Sequence, residues 1–189
     1  MHFHLRPAQI GDLCLLIQSS QPISDELYPR QRALQARYGG TLIQPLHLTC
    51  QRFAGQDERQ WQFLLTHLRQ HMGAVMPFPV TAVGLQTLAV PVLQTTILKW
   101  VIALTPALLQ FQALIDDALA GSGIAGHYAP GFVSSLVAAL RDITPATLTQ
   151  PLHDSTLPYL LFTADQLVLS RILGPNQFAI LATLSSETT

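Results

Sequence analysis

The chain has 189 residues, of which 49% are hydrophobic and 11% are charged, and its formal net charge at pH 7 is −1. Disordered chains combine low hydrophobicity with high net charge, so this composition excludes disorder. The charge balance also excludes a dominant electrostatic attraction for nucleic acid. The length predicts one domain, or two small lobes that share a core.

The segments that could carry a membrane or redox signal do not have the required pattern. The most apolar stretch, residues 88–109, is interrupted by prolines, polar residues and Lys99, whereas a spanning helix needs roughly 20 apolar residues. Residues 1–7 lack the basic-then-apolar layout of a signal peptide, so we expect a cytoplasmic protein with no membrane partner. Cys14 and Cys50 form no CxxC pair, and they are predicted to be buried free thiols.

The first half of the chain predicts an alternation of strands and helices. Residues 13–17 form a continuous apolar run typical of a buried strand, and residues 24–38 have the amphipathic spacing of a helix. Gly39 and Gly40 end that helix. A strand follows over 42–53, and its apolar and polar side chains alternate: Leu46, Leu48 and Cys50 on one face, His47, Thr49 and Gln51 on the other.

The second half predicts two more helices among several strands. Asp57 caps a helix that runs to His71, and Pro106 opens another whose apolar stripe extends to Leu119. The predicted strands are 78–85, 95–104, 132–138, 159–163, 167–173 and 178–184. This order predicts the α+β class, with helices packed on antiparallel-rich sheets. A weak internal echo, helix then turn then polar strand, occurs at 24–51 and again at 106–138.

Among seven histidines, His47 stands out because Thr49 follows it by two residues within a predicted strand. Side chains at i and i+2 of a strand project to the same side, about 7 Å apart. An imidazole near its neutral pKa can transfer protons, and a hydroxyl can donate to a phosphoryl oxygen. The alternative interpretation is an ordinary polar strand face. His67 and His71 lack the glutamate of an HExxH zinc motif, so an exposed helix face is predicted and no metal or other cofactor is expected.

The context of His47 resembles that of a known family. The segments PLHLT at 45–49 and PGFVSSL at 130–136, with a helix, paired strands and a further helix between them, look like the two motifs of the two-histidine phosphoesterase superfamily. That superfamily includes 2′-5′ RNA ligase-like proteins and cyclic nucleotide phosphodiesterases. The resemblance covers nearly the whole chain, because residues 157–171 are similar to the strand pair that closes the family's second lobe.

The resemblance implies a single domain over residues 1–189, with two intertwined lobes in pseudo-twofold symmetry. Two antiparallel-rich sheets would form a central cleft, with the helices packed outside. The family's two histidines act as general acid and base on a phosphodiester, and two hydroxyls hold the phosphate without a metal. Carried over, His47 is an acid/base residue, Thr49 a phosphate ligand, and Ser134 the second hydroxyl.

The second motif departs from the family pattern, because Phe132 stands where the second histidine is expected. Phenylalanine cannot transfer a proton, which leaves three hypotheses. His127, in a glycine-containing loop, enters the cleft as the second histidine. Alternatively, the enzyme works at a reduced rate with one histidine, or the fold only binds a phosphorylated ligand while Phe132 stacks on a base. Phe132 as a core residue after a register slip is the structural alternative.

The sequence thus predicts a metal-independent phosphodiesterase that acts on 2′,3′-cyclic or 2′-5′ phosphodiesters of a small nucleotide or RNA end. Arg52 is a candidate substrate-binding residue, although arginines at strand ends are usually solvated. An extended nucleic-acid track is not expected without a basic stripe, and we expect a monomer. The alternatives are an impaired module that binds a nucleotide or phosphorylated ligand, and an unrelated α+β interaction domain in which the His47 motif is coincidental.

Overall fold

The computed structural model describes residues 9–54, 57–90, 95–127, 132–137, 151–152, 156–174 and 177–186. This part of the chain holds three α-helices: α1 (Leu27–Tyr38), α2 (Glu58–His71) and α3 (Pro106–Ser122), with a short 3₁₀ turn at Met72–Ala74. Its strands are β1 (Leu13–Gln18), β2 (Thr41–Leu42), β3 (His47–Phe53), β4 (Phe78–Val90), β5 (Thr95–Ile102), β6 (Phe132–Val137), β7 (Pro151–Leu152), β8 (Tyr159–Ala164), β9 (Gln166–Gly174) and β10 (Gln177–Ser185).

The helix ends follow the capping signals of the sequence. The Asp57 carboxylate accepts a hydrogen bond from the backbone N–H of Gln60 at 3.0 Å and so begins α2 as predicted. Helix α1 ends at Gly39, whose φ of 76° lies in the left-handed region that glycine tolerates. Helix α1 begins at Leu27, three residues later than the predicted start. Among the helices of the described ranges, none has the length and apolar character to cross a membrane.

The strands form an antiparallel sheet that is nearly symmetric about its middle. The order is β10-β9-β1-β3-β6-β5-β4-β7, with β2 paired to β6 and β8 paired to β4. On one side α1 connects the paired strands β1 and β3, and on the other α3 connects β5 and β6. The two halves join where Leu48 lies opposite Val133. The predicted α+β class is confirmed, and the two predicted antiparallel sheets are the two halves that the β3–β6 pairing joins. The echo at 24–51 and 106–138 coincides with these two halves.

The main core lies on one face of this sheet, between the strands and the helices. It includes fully buried residues of both halves and of α2 and α3, such as Leu15, Leu48, Leu64, Trp100 and Phe111. All three helices contribute their buried apolar residues to this core. The predicted packing of the helices outside the sheets is therefore confirmed. In the part of the chain that the structure describes, the helices cover the core face of the sheet and not the opposite face.

That opposite face, called the site face below, carries its own small apolar cluster. Cys14, Leu16 and Val168 form the cluster, with Ile172 packed against it. Both cysteines are buried and free, as predicted. Burial raises the pKa of the Cys14 thiol to about 12, so this thiol stays protonated and packs as a small apolar group.

A β-bulge in β3 corrects one detail of the predicted alternation. The strand pairs Leu16 with Thr49 but Leu15 with Gln51, so Cys50 is the extra residue. Gln51, predicted to share a face with His47 and Thr49, is instead fully buried. After the bulge the alternation continues shifted by one residue, so that Arg52, opposite Cys14, lies on the same face as His47 and Thr49. The predicted loop at Pro91 and the turn at 175–176 lie outside the described residues.

Candidate functional site

His47 is the first residue of β3, and its imidazole is held by the backbone immediately before it. The ring Nδ1 lies 3.0 Å from the carbonyl oxygen of Pro45. A carbonyl can only accept, so this contact assigns the proton to Nδ1 and leaves Nε2 as an acceptor. Burial lowers the pKa of His47 below its ordinary value of 6.5, and the Pro45 hydrogen bond opposes that shift less strongly. At neutral pH the ring is therefore a neutral base with a defined tautomer.

Thr49 and His47 share the site face, because the residue between them, Leu48, is fully buried in the main core. Both side chains are half-buried. Thr49 lies opposite Leu16 of the small apolar cluster. The predicted pairing of an imidazole with a hydroxyl on one face of a strand is thus present in the structure.

Phe178 of β10 adds an aromatic ring to this site. Its centroid lies 6.1 Å from the centroid of the His47 ring, and the two planes meet at 74°, an edge-to-face arrangement. The Phe178 side chain remains 40% exposed. It pairs in register with Ile172, a member of the site-face cluster, so it belongs to the same face. The last hairpin of the chain therefore brings an accessible aromatic surface to the candidate base.

The register of β3 with β6 determines how the two motifs face each other. Because Leu48 lies opposite Val133 in an antiparallel pair, the position of His47 is opposite that of Ser134, and the position of Thr49 is opposite that of Phe132. The strand containing Phe132 and Ser134 is therefore next to the His47 strand, as the family resemblance implies. Positions 47 and 132 are thus related by the approximate twofold symmetry of this strand pair.

Extending this register across the sheet reveals a row of polar residues, one from each of six neighbouring strands. Gln18 lies opposite both Gln166 and His47, while Lys99 lies opposite both Ser134 and Gln86. The polar row is Gln166, Gln18, His47, Ser134, Lys99 and Gln86. Its members other than Ser134, whose side chain is not described, are all half-buried. The amide nitrogen Nε2 of Gln18 donates to Oε1 of Gln166 at 3.2 Å.

His127 lies at the other end of β3 from His47. Its backbone N–H donates to the carbonyl oxygen of Arg52 at 2.7 Å, and the preceding Gly126 bridges Phe53. Arg52 is five positions after His47 along the strand, a span on the order of 16 Å at about 3.3 Å per residue. The structure does not bring His127 beside His47, so its catalytic role stays a prediction that requires this segment to move.

Arg52 shares the site face but is already engaged. Its Nε lies 3.8 Å from Oδ2 of Asp12, and the side chains of the pair are 14% and 4% exposed. Asp12 also accepts from the backbone N–H of Gln9 at 2.9 Å. The predicted substrate-binding role of Arg52 would therefore require it to hold a phosphate while it remains beside Asp12.

Other candidate features lie apart from this site. His67 and His71 stack with centroids 4.5 Å apart, and Nδ1 of His71 bonds to the His67 carbonyl, which occupies one potential metal-ligand atom. Within the described ranges, no group of three or more His, Cys, Asp or Glu residues could hold a metal ion. A pocket of about 280 Å³ lies between β8 and the segment before α1, and Arg30 and Tyr159 line it. It contains none of the predicted site residues.

Sequence reasoning missed Lys99, Gln18 and Phe178 as members of the site. The local signal for Lys99 is a single charge within the otherwise apolar run from Ile97 to Val101. Assigning Lys99 to the site requires the register of β5 with β6, strands whose sequence positions are more than 30 apart. Phe178 gives no comparable local signal, since aromatic residues are common in strands.

Comparison with known proteins relates the chain to a group of solved structures. No family model matches the sequence, and no curated protein matches it. Similar structures include apo LigT of E. coli, at 15% identity and a TM-score of 0.55, covering 94% of this chain and 98% of LigT. A structure described as a phosphoesterase has 13% identity and a TM-score of 0.58, covering 93% of this chain and 98% of that one. TT0787 of Thermus thermophilus has 16% identity and a TM-score of 0.55, covering 92% and 97%.

These similarities extend over nearly the full length of both partners, so they concern the whole architecture. At 13–16% identity they establish the fold that this chain shares with LigT and the phosphoesterase. The resemblance inferred from the two strand motifs is thereby confirmed for the fold. One fold can host many functions, so the chemistry depends on this chain's own residues.

Proposed function

We propose that this protein is a metal-independent phosphodiesterase that hydrolyses 2′,3′-cyclic or 2′-5′ phosphodiesters of a small nucleotide or RNA end. The observation that carries the proposal is the state of His47. With Nδ1 bonded to the Pro45 carbonyl and the pKa lowered by burial, Nε2 is available as a general base at neutral pH. Thr49 supplies a hydroxyl on the same face, where it can donate to a phosphoryl oxygen.

The chemistry balances with His47 as the base. Nε2 accepts a proton from a water molecule, and the water oxygen forms a bond to phosphorus. For a 2′,3′-cyclic substrate, the bond between phosphorus and one ribose oxygen breaks. That leaving oxygen takes a proton from solvent, or from His127 if its segment reaches the site. The water proton on the His47 imidazolium then returns to solvent.

The fold comparison supports a small nucleotide as ligand. LigT of E. coli, at a TM-score of 0.54 and 15% identity, was crystallised with 3′-AMP, and further LigT structures contain NADP+, ATP and phosphate. A formal net charge of −1 also favours a short substrate over a long nucleic-acid track. Cytoplasmic location, a monomeric state and a single domain over residues 1–189 belong to the same proposal.

The test is hydrolysis of 2′,3′-cyclic nucleotides and 2′-5′-linked dinucleotides with chelator present. We expect His47→Ala to lose about 10²–10⁴-fold in kcat, since that is the usual contribution of one acid–base residue. Thr49→Val should weaken turnover while Thr49→Ser retains most of it. His127→Ala serves as the comparison that decides whether a second histidine participates. Turnover that is equal in wild type and His47→Ala would overturn the proposal.

A second candidate function is binding of a nucleotide or phosphorylated ligand without turnover. The phenylalanine at position 132, which is opposite Thr49 in register, favours this candidate, because a site with one proton-transfer residue loses much of its rate. Calorimetry with nucleotides separates the two candidates. Micromolar binding without measurable hydrolysis would support the binding module, and the absence of heat at millimolar ligand would exclude it.

A further inference from the structure

Lys99 lies on the site face of β5, next to the second motif. Its neighbours Leu98 and Trp100 are fully buried in the main core, so the alternation of the strand directs Lys99 to the opposite face. There it is opposite Ser134 in register, and it is half-buried. It is also the only lysine of the chain.

The polar row places Lys99 and His47 on the two sides of Ser134. Adjacent strands are about 4.8 Å apart, so the backbones at His47 and Lys99 are separated by about 10 Å. A lysine carries its ammonium on a flexible four-carbon stem, which allows it to reach a ligand above the neighbouring strand. A phosphate bound above β6, between β3 and β5, is therefore accessible to His47 from one side and to Lys99 from the other.

The charges along the polar row favour Lys99 as the residue that contacts a phosphate. The other described members beside His47 are glutamines, which carry no charge. Lys99 is therefore the cation of the row. Desolvation lowers the pKa of Lys99 from its ordinary value of 10.5, which indicates that the ammonium has lost part of its contact with water. An ammonium in that state gains more from a phosphate oxygen than a fully solvated one does.

We propose that Lys99 binds the non-bridging oxygens of the substrate phosphate from the β5 side, and supplies the positive charge that the absent histidine at position 132 would have contributed. This inference rests on the proposed phosphate chemistry at His47. It assigns Lys99 an electrostatic role and no proton transfer. The site would then combine a base on β3 with a cation on β5, in place of two histidines.

The test uses 3′-AMP and adenosine as probes of the wild type and of Lys99→Met. Calorimetry should give an affinity for 3′-AMP that falls about tenfold to a hundredfold in Lys99→Met, while the affinity for adenosine, which lacks the phosphate, stays unchanged. Lys99→Arg should retain most of the 3′-AMP affinity. Arg59→Met, at an exposed position of α2, removes the same charge away from the site face and should leave both affinities unchanged.

A second readout follows from the single lysine. Reductive methylation with ¹³C labels Lys99 together with the terminal amine, so the signal that Lys99→Arg removes from the NMR spectrum belongs to Lys99. Inorganic phosphate should shift this signal in the wild type. This readout does not depend on turnover and remains available if Lys99→Met fails to fold.

The outcomes separate the two proposals. Equal 3′-AMP affinity in wild type and a folded Lys99→Met, or a Lys99 signal that phosphate leaves in place, would overturn the role of Lys99 even if His47-dependent hydrolysis is observed. A Lys99-dependent affinity for phosphate without hydrolysis would support Lys99 and overturn the phosphodiesterase. Absence of phosphate binding in the wild type would overturn both.

Discussion

The Nδ1 atom of His47 lies 3.0 Å from the carbonyl oxygen of Pro45, two residues earlier in the chain. The orientation and tautomer of the imidazole are therefore fixed by the backbone that leads into β3. Many catalytic histidines are oriented by a carboxylate, which also stabilises the charged ring. A backbone carbonyl orients the ring without a full negative charge, so burial prevails and the pKa of His47 is lowered.

The lowered pKa of His47 predicts the acid side of the pH–rate profile. A general base works in its neutral form, and the neutral fraction decreases only as pH falls through the pKa. Because that pKa lies below 6.5, kcat/KM for a 2′,3′-cyclic nucleotide should keep more than half of its plateau value at pH 6.5 and should decline at lower pH. Steady-state rates from about pH 4.5 to about pH 8 measure this, and a decline centred above pH 6.5 would contradict it.

Phe132→His is expected to restore the two-histidine arrangement. Position 132 is opposite Thr49 in the register of β3 with β6, and Val101 of β5 is its other neighbour. A proton donor at this position should raise kcat about 10²–10⁴-fold, the usual contribution of one acid–base residue. Phe132→Leu is the matched control and should bring no increase. If Phe132→His folds and binds 3′-AMP as the wild type does but hydrolyses no faster, the assigned register role of position 132 is wrong.

Phe178 is expected to contribute to nucleobase binding. Its ring is 40% exposed and packs edge-to-face on His47, so one surface remains available for stacking. Stacking of a base on an aromatic side chain is worth about 1–3 kcal/mol, which predicts roughly a fivefold to hundredfold loss of adenosine affinity in Phe178→Ala. Ile180→Ala is the control, because Ile180 is 67% exposed on the same strand. Equal losses in the two variants would argue against stacking.

Gly126→Ala is expected to reduce stability. A Cβ at Gly126 would lie 2.6 Å from Nε2 of Gln51, and Gln51 is fully buried with its Oε1 accepting from the N–H of Arg52. The displacement of a packed, bonded side chain should lower the free energy of unfolding by about 1–3 kcal/mol. Gly73→Ala has open space around the added methyl group and should change it by less than about 0.5 kcal/mol. Urea denaturation of both variants tests the difference.

The local pattern of the sequence predicted most elements and one half of the site. Asp57, Gly39 and the strand containing His47 and Thr49 could be identified because capping, helix termination and period two are properties of neighbouring residues. Gln51 was assigned to the wrong face because a bulge depends on the partner strand. The polar row was missed for the same reason: it is set by pairings among six strands, which no local period encodes.

The near-symmetric strand order has a consequence for how a substrate could enter. Two identical half-sites would accept a phosphodiester equally well in either of two directions related by the twofold axis. Here the β3 half offers an imidazole, whereas the β6 half has phenylalanine in its place and a lysine on the adjoining strand. With the proposed roles, water is activated on one side only. Because the two halves differ, a substrate can react in only one of the two orientations. In that orientation the departing ribose oxygen faces away from His47.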